Sequence, residues 1–316
     1  MKQFTFPGAP VQRSDSTVLN LFTTLYQQRQ DTLTLIKQLI HAIKAVQRHR
    51  GMSMGLLGGN AQFKEEFLRL QTQITNRLQL FIAFTAKTHN PLPAREHENL
   101  ESAWLTISTD WQHDSVIDNY ELHCHLIEQL LSVLATMAKQ LEQPMAALIA
   151  TRNEPALVNA TGVVYPNRLK QLEVLHFSTR LMPSVAEQIG RIRALATYTA
   201  ALGYCDTDYA SKLRYVIQST RVNNEKLRHQ AKRMEAILEK DSPLLSQLRS
   251  YEIKLTFLLN MVEQDVLKEK VTADSTRLFE IATDIIDMYL NVVDEGIALL
   301  ERWHQDEIEN WLTPVT

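Results

Sequence analysis

Gln47-Arg48-His49-Arg50-Gly51-Met52-Ser53-Met54-Gly55-Leu56-Leu57 sets an arginine where an apolar residue is expected. Ile36, Leu39, Ile43 and Val46 precede it at three- and four-residue steps, and the same register continues through Arg50, Ser53 and Leu57. Read as one helix, the stretch points Arg50 inward. A guanidinium on a core seam costs several kcal/mol of lost hydration unless an anion meets it, so either a buried carboxylate or a bound anion must supply the charge. The other reading ends the helix near His49, with Arg50-Gly51 as a solvated cap, because Gly51, Gly55, Gly58 and Gly59 are poor helix formers. Against it, Met52, Met54, Leu56 and Leu57 keep the stretch apolar, and spaced glycines let a neighbouring helix or a ligand come close.

The chain has 316 residues, 45% of them hydrophobic, enough for one large or two medium cores. Lysine and arginine number 33 against 36 acidic residues, and a net charge of −3 gives no electrostatic case for direct nucleic-acid or anionic-membrane binding. Cys124 and Cys205 are too few for a disulfide framework; both are expected as small core residues in a reducing cytoplasm. Residues 1–16 lack the basic-then-apolar pattern of an export signal, and no 18-residue apolar run occurs, so a soluble cytoplasmic protein is expected. Nine glycines and ten prolines among abundant Leu, Gln, Ala, Glu and Ile make an all-α fold the expectation.

Helical periodicity predicts segments at 18–57, 62–87, 97–110 and 115–140, a first four-helix half within 1–142 that carries Arg50. Pro144, Asn153-Glu154-Pro155, Thr161-Gly162 and Pro166 interrupt residues 143–166, read as a linker. A second half, 167–316, is predicted from segments at 167–204 with Pro183 as a kink or restart, 207–239, 243–268 and 274–312. Two antiparallel four-helix bundles packed together follow. After Pro183, a bulky stripe (Leu181, Val185, Ile189, Ile192, Ala196, Thr199) and a face of small residues (Ala186, Gly190, Ala194, Thr197, Ala201) predict a helix sandwiched between neighbours. Arg193 lies at the edge of the small face and Arg191 nearer the open side, which makes Arg193 the better ligand candidate of the two.

Other constellations carry less. Arg214, Arg221 and Arg228 recur every seven residues beside an apolar seam and read as a solvated or interhelical flank. Glu173-x-x-His176 and Glu301-x-x-His304 match the spacing of di-iron bundles, but the inward glutamates needed on the intervening helices are not evident. His123-Cys124-His125 diverges around a helix and makes no metal clip, and Asp284, Asp287, Asp294 and Glu295 read as a solvated face. No Walker, dinucleotide or nucleophile-elbow motif is present, and neither a cofactor nor a metal is expected.

Residues 47–55 resemble the Gln-x-Glu-Arg-Gly-x-Ser-x-Gly signature of the NIT (nitrate- and nitrite-sensing) domain family, with His49 in place of the acidic residue. Met182-Pro183-Ser184-Val185-Ala186-Glu187-Gln188-Ile189-Gly190-Arg191-Ile192-Arg193-Ala194 is similar to that family's second conserved segment. Phe279-Glu280-Ile281-Ala282-Thr283-Asp284-Ile285-Ile286-Asp287 resembles its C-terminal Phe-x-x-x-Thr-x-x-Ile pattern. The resemblance spans about residues 30–310 and implies nitrate or nitrite bound by arginines between two four-helix bundles. Carried over, Arg50 ranks first as a ligand, Arg193 second, then Arg48 and Arg191, with Arg249 a further candidate. The family occurs in bacterial antiterminators, histidine kinases and chemoreceptors, and no such output module follows Leu312; a separate effector protein is the expected partner, with a homodimer open. The competing readings are a metal-dependent bundle enzyme using Glu173, His176, Glu301 and His304, and a structural interaction protein whose Arg50 pairs internally.

Overall fold

A computed structural model describes residues 15–88, 92–143, 168–238 and 243–312, with side chains outside 15–19, 237, 243–247, 249–250 and 307–312. The fold is all-α, and no strand occurs among the described residues. Helix α1 spans Asp15–Leu57, 43 residues without a break, so the reading that ended it near His49 is corrected. Gly51 and Gly55 do not stop the helix because each gives its space to a neighbour. A Cβ on Gly51 would sit 2.8 Å from the Phe279 ring and 3.1 Å from Arg193 Nε, and one on Gly55 would sit 2.6 Å from the Phe63 ring.

A 3-10 turn at Ala61–Phe63 leads into α2 (Lys64–Thr85), followed by α3 (Ala94–Ser108) and α4 (Val116–Gln140). Ser115 caps α4: its hydroxyl accepts from the Asp118 amide at 3.1 Å. With α1 these helices form the first four-helix set. Its seam includes Ile36, Leu39, Ile43, Phe67, Ile74, Leu100, Leu126, Leu130 and Leu134, all buried. The segment read as a linker lies almost wholly within 144–167, outside the described residues.

Helix α5 (Arg168–His176) passes through a π-helical turn, Phe177–Leu181, into α6 (Met182–Leu202), so the two make one rod. Pro183 explains the turn. Proline has no amide proton for the carbonyl four residues back and its ring collides with that carbonyl; a widened turn just before it relieves both. The widened turn also meets a glycine, since a Cβ on Gly296 would lie 2.0 Å from Ser178 Oγ. Helices α7 (Thr207–Leu238), α8 (Pro243–Met261, ending in a π-helical turn at Val262–Val266) and α9 (Ser275–Leu312) complete the second set.

The two sets join through α1, which packs on α2 and α4 on its own side and on α6 and α9 across the junction. Met182 to Thr199 of α6 is buried almost without interruption, which fits its position between α1, α7 and α9. Cys124 is buried, as expected, but Cys205 is half-exposed, because it lies in the turn after α6 rather than on a packed helix face. No helix among the described residues is long and apolar enough to cross a membrane.

Candidate ligand-binding site

Arg50 is fully buried, and its partner is Glu187 on α6. Arg50 Nη1 donates to Glu187 Oε1 at 2.7 Å and Nη2 to Oε2 at 3.0 Å, a bidentate fork. Each carboxylate oxygen also takes a second donor: Arg191 Nε reaches Oε1 at 2.9 Å and Gln47 Nε2 reaches Oε2 at 2.9 Å. Gly190 makes room for the fork, since a Cβ there would lie 2.9 Å from Arg50 Nη2. Burial works to raise the Glu187 pKa, yet Arg50 and Arg191 hold it below the usual carboxylate value. The same burial pushes the Cys124 thiol and the Tyr120 phenol up, so both stay neutral beside Arg50. Of the two anions that the sequence left open for Arg50, the carboxylate is the one observed. Reasoning from sequence singled out no partner at Glu187; the available signal was its place between Ala186 and Gly190 on the small face, four residues before Arg191.

Arg193 is buried to the same degree, 2% exposed, and has no such partner. Its Nη1 donates to Thr283 Oγ1 on α9 at 2.8 Å, and that hydroxyl in turn donates to the Phe279 carbonyl at 2.6 Å. The guanidinium lies 4.9 Å from the centre of the Phe279 ring. Nε and Nη2 are buried without a hydrogen bond, and among the described residues no carboxylate pairs with Arg193. Burial first, then the charges of Arg50 and Arg48, pull its pKa down to about 9. Arg50 Nε is likewise buried and unbonded, and so is the hydroxyl of Thr197, one turn beyond Arg193.

Arg48, Arg50 and Arg193 therefore converge where α1, α6 and α9 meet. Arg48 shares the Phe279 ring at 5.7 Å and is paired at 2.5 Å with Glu66. Arg191 stands on the far side of Glu187, half-buried, and bonds outward to Glu128 of α4 at 2.6 Å. The side chain of Arg249 lies outside the described residues. Two interior guanidiniums, Arg50 and Arg193, thus face one interior carboxylate, Glu187, while Arg48 and Arg191 are matched by Glu66 and Glu128. One positive charge is left over.

No protein-family model matches the chain, nor does any curated protein. The backbone does find a counterpart among solved structures. It resembles the NasR transcription antiterminator. The likeness has a TM-score of 0.63 at 14% sequence identity and covers 93% of this chain and 74% of that one. At that identity it is a likeness of fold.

His49 turns away from the arginines into an aromatic box, stacked on Phe67 at 4.2 Å with Trp104 edge-on at 5.1 Å. Its Nδ1 lies 2.8 Å from His123 Nε2, and His123 Nδ1 lies 2.7 Å from the Asn119 carbonyl. The carbonyl only accepts, so His123 carries its proton on Nδ1 and accepts at Nε2 from His49. Burial lowers both pKa values, that of His123 to about 3, so the pair is neutral.

The two glutamates of the enzyme reading are engaged elsewhere, and both ring nitrogens of His304 are buried without a hydrogen bond. Glu173 accepts from Arg233 and Gln230, Lys37 pairs with Glu301 at 2.7 Å, and the His304 ring stacks on Tyr26 at 5.3 Å. Among the described residues no three His, Cys, Asp or Glu side chains gather to hold a metal. Arg221 forks onto Glu263 at 2.8 and 2.7 Å, as an interhelical flank does.

Proposed function

We propose that this chain is a nitrate or nitrite sensor that takes a single monoanion at Arg193 and Arg50 and passes the event to a separate regulatory protein. The observation that carries the reading is the unpaired Arg193 guanidinium, with two buried N–H groups unbonded. A buried unsatisfied charge is costly, and function is the usual reason one persists. A planar oxyanion accepts two near-parallel hydrogen bonds from the Nε–Nη2 edge of a guanidinium, a geometry that lysine does not offer. One surplus positive charge fits a monoanion and disfavours sulfate. The three segments that resemble the NIT family supply these side chains, Arg50 from the first, Glu187 and Arg193 from the second, Phe279 and Thr283 from the third. Likeness of fold to an antiterminator adds support for a regulatory role.

Gly51 packs directly on the Arg193 guanidinium, so an anion enters only if α1, α6 and α9 adjust, and that adjustment is the signal. The second reading, a purely structural protein, is favoured by the Glu187 fork on Arg50 and is opposed by Arg193.

The test is thermal unfolding and calorimetry with sodium nitrate, nitrite, chloride and sulfate at matched ionic strength. With a ceiling of about 1.5 kcal/mol per heavy atom, nitrate binds no tighter than roughly 40 μM and nitrite no tighter than roughly 0.5 mM. At that ceiling, nitrate at about 1 mM stabilises the fold by about 2 kcal/mol. Equal shifts with nitrate and chloride would reduce the effect to ionic strength and sink the reading.

A further inference from the structure

The Arg50–Glu187 pair has an uneven pattern of bonding. Remove Arg50 from Glu187 and each carboxylate oxygen still holds one donor, Arg191 Nε on Oε1 and Gln47 Nε2 on Oε2, both at 2.9 Å. Glu187 therefore keeps an ion pair without Arg50. Arg50, in contrast, would be left with Cys124 Sγ at 3.2 Å and the Tyr120 ring at 5.7 Å, neither of them an anion. An arrangement in which one partner keeps its ion pair and the other does not is suited to exchange of the second partner.

We infer that Glu187 is an internal anion that an external one displaces from Arg50, so that Glu187 sets both the affinity and the permitted charge of the ligand. This rests on the oxyanion reading given above. With the fork closed, Arg50 offers a ligand only its unbonded Nε, and Arg193 offers two N–H groups. With the fork open, the Arg50 guanidinium joins Arg193 around a single anion, and the carboxylate stays with Arg191. Charge is conserved inside the junction: two guanidiniums then face Glu187 and one monoanion. A dianion would overshoot, which is why the resident carboxylate excludes sulfate. The exchange also has an outlet. Arg191 joins Glu187 on α6 to Glu128 on α4, whose side chain is 54% exposed, so a Glu187 that has lost Arg50 leans more on an ion pair that reaches the surface.

The test compares wild type, Glu187→Gln and Arg191→Gln as full-length chains, titrated with sodium nitrate and with sodium sulfate at matched ionic strength. Exchange requires that Glu187→Gln bind nitrate more tightly than wild type and acquire a sulfate-induced rise in melting temperature that wild type lacks. Arg191→Gln moves the other way, weakening nitrate several-fold while sulfate stays excluded, because Glu187 then depends on Arg50. If wild type responds to nitrate but Glu187→Gln binds it equally or more weakly, Glu187 only holds Arg50 in place; the exchange is refuted and the anion site stands. Should Glu187→Gln not fold, Arg191→Gln decides alone: weaker nitrate binding supports exchange, and unchanged or tighter binding overturns it. A wild type with no nitrate response removes the oxyanion reading and the exchange together.

Discussion

Replacing Arg193 with methionine should make this protein more stable, the reverse of what removing a buried, hydrogen-bonded side chain ordinarily does. Folding lowers the Arg193 pKa to about 9, because the charge is buried beside two other arginines with no carboxylate of its own. At about 1.4 kcal/mol per unit, keeping that charge at neutral pH destabilises the fold by up to ~5 kcal/mol. Methionine forfeits the hydrogen bond to Thr283, about 1 kcal/mol, and the stacking of the cation on Phe279, about 1 kcal/mol more. Thr283 is not orphaned, since its hydroxyl already donates to the Phe279 carbonyl. The balance is a gain of about 3 kcal/mol, or about 4–5 °C in melting temperature for a chain of this length. Differential scanning calorimetry with and without nitrate reads both halves of the argument. Arg193→Met should melt higher than wild type in chloride and show no nitrate shift. A variant that melts lower and keeps the nitrate shift would refute the claim that Arg193 is held unpaired for a ligand.

Arg50→Lys keeps the charge but loses the fork, and should cost about 2 kcal/mol in urea unfolding while abolishing most nitrate binding in calorimetry. Gly51→Ala brings a methyl group to 2.8 Å from the Phe279 ring, so it should destabilise by about 1–3 kcal/mol and weaken nitrate binding, as isothermal titration would show. Above pH of about 9 the folded chain releases the Arg193 proton while the unfolded chain keeps it; stability of the anion-free protein should therefore rise with pH there, as nitrate affinity falls. Arg221→Ala, which removes a half-exposed ion pair with Glu263, should change stability by no more than about 1 kcal/mol and leave nitrate affinity unaltered.

The helices were legible because each carries its own periodicity: the predicted span 18–57 lies within the observed Asp15–Leu57, and 207–239 nearly coincides with Thr207–Leu238. The inward direction of Arg50 was legible for the same reason, as a step in a local register. Its pairing with Glu187 was not, since the two lie 137 residues apart and only the crossing of α1 with α6 brings them together. Ranking Arg50 above Arg193 came from the resemblance of the segments, and burial does not separate the two. What distinguishes them is a carboxylate on one and none on the other, a property of the packed junction and of neither helix alone. Cys205 misled because composition speaks for a residue type, whereas exposure depends on where the chain turns.

The contact between Ser178 and Gly296 sets a point of closest approach between α9 and the widened turn. The widened turn before Pro183 thrusts Ser178 into the space that a side chain at 296 would fill, so the two rods touch there at backbone distance. Thr283, which holds Arg193, lies about 20 Å from that point toward one end of α9, and Leu312 lies about 24 Å toward the other. A stiff rod pivoting on such a point moves its two ends in opposite directions by similar amounts. A shift of about 1 Å at the arginines would then reappear at the far end of α9 nearly undiminished.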